Sequence, residues 1–388
     1  MRVLLINYEY PPVGGGAANA TAHIARALAV LGHAPIVLTG AHGSAPGRNR
    51  VDGVDIIRVS ARRARPDRSG LFEMATYVAA AAFAMPRVLR TERPGAAIVF
   101  FSMPCGPLGL LAHMWAHIPY IISLRGGDVP GTEASLNWAY TLLTPLRRLV
   151  LRKAVSVVAN SLGLKKLSQA ADPVEVEVIP NGVDTDFFRP LEPRDAPNKK
   201  VFTFLFVGRF QAQKNLLFLL DAVAILRRDA VSPFQVAIVG DGPMGSELRR
   251  KCTALRLNDI VTWFGWCSKN QLLAHYQTAD CFVNPSLYEG MPNTVLEAMA
   301  CALPVVASDV PGNDAVVLPG QTGFLFALGD LTQFVELMNR LLAEPAMARD
   351  MGGIARTRVA ATFSWVRVAE QYIGLLDGRR ATDPAPER

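Results

Sequence analysis

Cysteine, acidic side chains and unbroken apolar runs are what this sequence has least of. Its 5 cysteines, Cys105, Cys252, Cys267, Cys281 and Cys301, are odd in number and include no C-x-x-C pair. That excludes a disulfide-stapled scaffold and fits reduced thiols buried as small hydrophobes, so a cytoplasmic protein is expected. Residues 1–8, MRVLLINY, hold an apolar core too short for the hydrophobic region of a secretory signal. The longest uncharged stretch, Pro94–Leu124, is broken by Pro104, Pro107, Pro119, Gly106 and Gly109. It reads as strand, loop, helix and strand rather than as a bilayer span.

What is present is apolar and basic. The chain has 388 residues, 50% hydrophobic and 19% charged, with a mean hydropathy of +0.21. This is enough to build two cores, and it excludes a disordered or collagen-like chain. Lys and Arg number 40 against 33 Asp and Glu, a net charge of +7. The excess sits in front: residues 1–195 hold 21 basic and 15 acidic side chains, residues 196–388 hold 19 and 18. A basic face suits a phosphate-bearing substrate, an anionic membrane surface or nucleic acid, though a basic protein needs no such partner. Nucleic acid is set aside, because no recognised module is present and the cations are not interleaved with aromatics.

Short β-branched runs alternate with longer helical patterns, which argues for parallel sheets with crossover helices. Strands are expected at Val3–Asn7, Ile36–Thr39, Ile56–Val59, Ala97–Phe101, Tyr120–Leu124, Ser156–Ala159 and Glu177–Ile179 in the front half. The back half places them at Thr203–Val207, Gln235–Val239, Val261–Phe264, Cys281–Asn284, Val305–Ser308 and Gly323–Phe326. The polar, Pro-rich segment 189–200 is the best linker. The expected architecture is α/β, two Rossmann-like doubly wound parallel-sheet domains facing across a cleft. They span residues 1–190 and 191–362, followed by a helix at 363–378 and a disordered tail at 379–388.

Three segments can carry chemistry. In PSLYEGMPNTVLEAMACALPVVAS, 285–308, strand Cys281–Asn284 runs into a loop holding Glu289, and Asn293 is placed to cap a helix holding Glu297. The backbone of Gly290, Met291, Pro292 and Asn293 is then expected to present a helix N-terminus to an anion. A carboxylate beside them accepts from a sugar diol; the plainer alternatives are a solvated loop residue and a first-turn charge. In VGRFQAQKN, 207–215, Arg209 and Lys214 follow a buried strand and suit a diphosphate, or are simply solvated. In PVGGGA, 12–17, glycines let the backbone approach a ligand. A dinucleotide fingerprint fits poorly there, since G-x-G-x-x-G does not follow the strand directly and no acid ends strand Ile36–Thr39.

These segments together resemble glycosyltransferase family 4, the retaining group with the two-domain GT-B fold. The resemblance rests on YPPVGGGAANATAHIARALAVLGHAPIVLT near the start, VIPNGVDTDFF at 178–188, FVGRFQAQKN at 206–215, VGDGP at 239–243, and the E-x7-E from Glu289 to Glu297. It implies that Arg209 and Lys214 grip a donor diphosphate, that Glu297 binds the donor ribose, and that Glu289 with residues 290–293 holds the transferred sugar and a phosphate. It also implies that Gly15 and Gly16 approach the phosphates and that Phe264, Gly265 and Trp266 flank the base. The implied reaction moves a sugar from a nucleotide sugar to a saccharide or lipid-linked acceptor, with no metal and no further cofactor. A nucleotide-sugar epimerase and a non-catalytic nucleotide-sugar-binding protein on the same scaffold are the alternatives.

Two departures stand out. Where many relatives carry His-Gly, this chain reads Arg125-Gly126-Gly127-Asp128. Arg cannot accept a hydrogen bond, so Arg125 is expected at a phosphate or acidic acceptor, and Asp128 becomes the front-domain carboxylate for sugar or acceptor. Ala302 stands where relatives have Gly. Asp184-Thr185-Asp186 spells D-x-D, but its place in PNGVD favours a turn. His113 and His117 are spaced i, i+4 without the further ligands of a zinc site. The helical stretch 136–153 could meet an anionic membrane or serve as an ordinary core helix. Arg62, Arg63, Arg65 and Arg68 form a loop cluster.

Overall fold

The computed structural model describes residues 1–41, 46–62, 70–130, 137–191 and 201–378, and the side chains of 137–141 are not described. Arg63, Arg65 and Arg68, most of the 189–200 linker and the 379–388 tail lie outside the described residues.

The chain divides into two units, Met1–Asn181 with Trp365–Arg388, and Gly182–Ser364. The first change of unit falls before the Pro-rich segment because the PNGVD segment ends in the second unit, where Val183 bridges to Ser364.

In the first unit the strands are β1 (Arg2–Ile6), β2 (Ala34–Gly40), β3 (Gly47–Val51), β4 (Val54–Val59), β5 (Ala96–Phe100), β6 (Tyr120–Ser123), β7 (Ser156–Ala159) and β8 (Glu177–Val178). They lie in the order β3-β4-β2-β1-β5-β6-β7-β8, parallel throughout except β3 with β4. Strand β1 shows why both faces are covered: Leu4 and Ile6 join one core and Val3 and Leu5 the other. The first core lies under the helices Leu71–Glu92, Gly106–Ala116, Asn137–Lys153 and Leu162–Ala171. The second lies under Gly16–Val30 and the last helix, Trp365–Leu376. Trp365 stacks on His23 at 5.1 Å, and Tyr372 shares a 2.7 Å hydrogen bond with Ser123. The last helix therefore packs on the first unit.

In the second unit β9 (Phe202–Val207), β10 (Phe234–Val239), β11 (Val261–Gly265), β12 (Cys281–Asn284), β13 (Val305–Ser308) and β14 (Gly323–Phe326) form one parallel sheet. Its order is β11-β10-β9-β12-β13-β14. Both sheets reverse their winding beside their first strand, between β1 and β5 and between β9 and β12. In doubly wound sheets that switch point, at the strand C-termini, is where ligands bind.

The expected strands are found with end differences of one or two residues, and β3 was not expected. Its sequence, GRNRV, is charged and exposed from end to end, so it carries no apolar alternation. It pairs with β4 through the turn Asp52-Gly53, both at positive φ, a hairpin signal that stands in the sequence. His117 lies beyond the end of its helix in the left-handed region, so it does not share a helix face with His113. All five cysteines are unpaired, and four are buried. Among the described residues no helix is long and apolar enough to cross a membrane.

Candidate functional site

The second unit's switch point brings together residues 75 apart in sequence. The apolar β9 delivers Gly208 and Arg209, then a 3-10 turn at Ala212–Lys214 leads into the helix Leu216–Asp229. Next to it, β12 leads into the loop that carries Glu289. The Leu287 N–H donates to the Gln213 carbonyl at 2.8 Å and the Gln213 side chain to the Tyr288 carbonyl at 2.9 Å, which fastens the loops to each other. Lys214 Nζ reaches Glu289 Oε1 at 2.6 Å, with side chains 18% and 6% exposed. Arg209 is exposed, and its guanidinium has no partner among the described residues.

A buried polar network lies under Glu289, and the sequence reading missed it. Asn284 Nδ2 donates to Asn313 Oδ1 at 3.1 Å and approaches Glu289 Oε1 at 3.4 Å. Ser286 Oγ donates to Asn284 Oδ1 at 2.8 Å, and Asn313 Nδ2 to the Ser308 carbonyl at 3.0 Å. All four residues are buried. Polar residues at the ends of apolar strands β12 and β13 were the available signal, because a buried amide or hydroxyl must find partners. Gly312 completes the support. It sits at φ +100, and a Cβ there would come within 2.9 Å of the Glu289 carbonyl.

The helix after Glu289 runs from Asn293 to Ala300, with Pro292 rather than Asn293 in the cap position. Pro292 has no N–H, and the Asn293 N–H donates to the Met291 carbonyl at 3.0 Å. The unpartnered backbone donors among the described residues at this helix start are therefore those of Gly290, Met291 and Thr294. Glu297, one turn in, accepts from the Tyr276 hydroxyl at 2.9 Å. Burial pushes its carboxyl up to about 7, and the Tyr276 hydrogen bond and Lys269 only partly offset this. On the other side, Phe264 is 44% exposed at the end of β11 with its ring 4.3 Å from His275, Gly265 takes φ +65, and Trp266 is exposed. Asp184, from the D-x-D sequence, accepts from the Phe187 N–H at 3.0 Å, the turn role its context suggested.

In the first unit the switch point carries the glycine loop. Asn7, buried at the end of β1, donates to Thr21 Oγ1 at 2.7 Å and accepts from the Glu9 N–H at 3.0 Å, fixing the loop to the following helix. Gly14 is the glycine the fold itself requires, at φ +95 with a Cβ position 2.7 Å from Ala18 Cβ. Gly15 caps the helix and Gly16 opens it, and both face open space, so close ligand approach remains available there.

Asp128 is not placed as a free carboxylate. It is 1% exposed and accepts from the N–H groups of Ser102 at 2.6 Å, Arg125 at 3.0 Å and Gly126 at 3.2 Å. Burial raises its pKa against the pull of those donors. It ties together the loops after β5 and β6. Arg125 lies 5.0 Å over the Phe100 ring and donates to Asn181 Oδ1 at 2.8 Å and Tyr372 Oη at 3.4 Å. It joins this loop to the last helix, and its guanidinium has no carboxylate partner among the described residues.

Two parallel-sheet α/β units, each with its candidate loops at the switch point, have the architecture of the GT-B glycosyltransferases. Residues 15–182 match the glycosyl transferase 4-like domain and residues 189–358 match glycosyl transferases group 1; the chain belongs to this family. It is similar to the alpha-maltose-1-phosphate synthase of Mycobacterium tuberculosis, at 28% identity over 97% of this chain and 98% of that one. It is 35% identical to the D-inositol 3-phosphate glycosyltransferase of Frankia alni over 55% of each chain. The solved sucrose-phosphate synthase of Thermosynechococcus elongatus superposes with a TM-score of 0.73 at 25% identity, covering 97% of this chain and 98% of that one.

Proposed function

We propose that this chain is a retaining, metal-independent glycosyltransferase that moves a sugar from a nucleoside-diphosphate sugar to a hydroxyl acceptor. The observation that carries the proposal is the Lys214–Glu289 pair at the second unit's switch point, with Arg209 beside it and unpartnered N–H groups at the next helix start. Cations and amides at one end suit a diphosphate, and a carboxylate at the other suits sugar hydroxyls. Glu297 takes the ribose hydroxyls and the Phe264–Trp266 edge flanks the base.

In this reaction the acceptor oxygen bonds to the anomeric carbon on the face from which the diphosphate departs. The bond from that carbon to the diphosphate oxygen breaks, and the acceptor proton passes to a departing phosphate oxygen. Arg209, Lys214 and the helix-start amides stabilise the charge growing on that diphosphate, so they supply transition-state binding rather than acid–base chemistry.

The acceptor is a saccharide, a lipid-linked saccharide or a small glycoside, and it is anionic. All three relatives named above carry phosphate in their names, and the cation excess lies in the half that holds Gly15, Gly16 and Arg125. The enzyme works in the cytoplasm, in peripheral contact with an anionic membrane face. A panel of UDP-, GDP- and ADP-sugars tests the donor: at least one should raise the unfolding temperature and be slowly hydrolysed. No stabilisation and no hydrolysis by any member would contradict the proposal.

A further inference from the structure

The helices Leu71–Glu92, Gly106–Ala116, Asn137–Lys153 and Leu162–Ala171 cover one face of the first sheet and share a core with it. Their outer sides are unusually apolar. Phe83 is 91% exposed, Leu142 72%, Phe72 65% and Trp115 52%. Leu142, Leu146 and Leu149, spaced i, i+4, i+7 and all exposed, form one stripe along their helix. Aromatic and leucine side chains this exposed and this grouped mark an interaction surface.

The charge on the same helices is mainly of one sign. Arg87, Arg90, Arg152, Lys153, Lys165 and Lys166 have no carboxylate partner among the described residues. Of the two acids on these helices, Glu92 is buried beneath Arg48 at 2.8 Å and Glu73 accepts from the Gly70 N–H at the start of its own helix. Asp172, just past the last of them, is already matched by Arg147 at 2.9 Å and Arg148 at 3.1 Å. The apolar residues Phe72, Leu142 and Leu162 lie in the first halves of their helices, towards the strand C-termini that lead to Gly15 and Asp128, and Phe83, Trp115 and Leu149 lie further along. Arg90, Arg152 and Lys153 lie at the far ends.

We propose that this helical face docks on an anionic lipid bilayer, with its rings and leucines at the headgroup boundary and its cations over lipid phosphates. Apolar area combined with like-signed cations is the composition that binds such a surface. A second copy of the chain fits less well, since two such faces would set cations against cations. The proposal deepens the peripheral-membrane part of the functional reading by naming the surface responsible.

Co-sedimentation of the full chain with vesicles of phosphatidylglycerol and phosphatidylcholine, against phosphatidylcholine alone, tests it. The protein should partition onto the anionic vesicles only and be released as salt rises from about 0.05 M to about 0.5 M. Arg152→Glu with Lys153→Glu, and separately Phe83→Ser with Leu142→Ser, should each weaken partition by about tenfold or more. Both variants should keep the parent's unfolding temperature and its stabilisation by nucleotide sugars. Equal binding to neutral vesicles, no binding, or variants that bind like the parent would overturn the proposal. So would a dimer in sedimentation equilibrium that Phe83→Ser with Leu142→Ser splits into monomers, since it would assign the face to a second copy. Vesicle binding without any response to nucleotide sugars would overturn the donor assignment and leave the surface standing.

Discussion

Lys214 Nζ and Glu289 Oε1 lie 2.6 Å apart, although 75 residues separate them in sequence. Each is a mostly buried charge, and each compensates the other. The cation expected at the diphosphate and the carboxylate expected at the sugar are thus partners in the free protein. In the proposed donor site, a diphosphate arriving at this switch point would compete with Glu289 for the Lys214 ammonium. Sharing that ammonium would free carboxylate lone pairs for sugar hydroxyls and so couple the two halves of the proposed donor recognition.

With Glu297 in the proposed donor site, donor binding and stability should run in opposite directions with pH. The carboxyl's ordinary value of 4.5 rises to about 7 in the folded chain. The neutral form is the one the fold favours, so its contribution to stability is full below about 4.5 and is lost as pH climbs from there through 7, by roughly 3 kcal/mol. Hydroxyl donors from a ribose favour the ionised form, so nucleoside diphosphate affinity should rise through pH 7 and level off above it. Calorimetry and denaturant unfolding of Glu297→Gln between pH 5 and 8 check both trends. The variant should bind weakly with a flat profile and gain stability relative to the parent as pH rises; an unchanged pH profile would remove Glu297 from the donor site.

Neighbouring glycines should separate fold from function. Gly14→Ala forces a Cβ into Ala18 and Glu9 at positive φ, a cost of about 2 kcal/mol or more. Gly15→Ala meets open space and should unfold at the parent's temperature, yet turn over more slowly because the added methyl stands where a phosphate approaches. Thermal unfolding and transfer rate, measured on both variants, distinguish the two. Parent-like activity in Gly15→Ala would argue against close approach at that loop.

Asp128 should behave as a loop anchor. Asp128→Ala leaves three backbone N–H groups without their acceptor, a loss of roughly 3 kcal/mol. Asp128→Asn keeps one acceptor oxygen and should recover much of that stability and the activity with it. An Asp128→Asn protein as stable as the parent but inactive would show that the carboxylate touches substrate after all.

How much of this could be read beforehand differs by element. Strands covered on both faces, such as FLFV before Gly208 and VVAS after Pro304, are near-continuous apolar runs, so their positions were legible. The charged, exposed β3 was not, because pairing alone makes it a strand. Glu289, Glu297, Arg209 and Lys214 were legible as local motifs, but the ion pair was hidden because topology alone brings β9 beside β12. The same holds for Tyr372, which meets Ser123 across 249 residues. The anchoring of Asp128 was not legible because its surroundings, the N–H groups of Ser102 and Arg125, depend on two loops meeting. Asn284, Ser308 and Asn313 escaped notice because burial, not residue type, makes a polar side chain a support.

The most direct test of the donor site is Glu289→Gln, measured for both nucleoside diphosphate binding and sugar transfer. The amide oxygen still accepts from Lys214, so the fold should hold and the diphosphate, no longer opposed by a carboxylate, should bind at least as tightly. Transfer should fall by about a hundredfold or more, as expected when a group positioning the reacting sugar loses its charge. Parent-like transfer, or loss of diphosphate binding together with transfer, would contradict the assignment of Glu289 to the sugar end of the donor site.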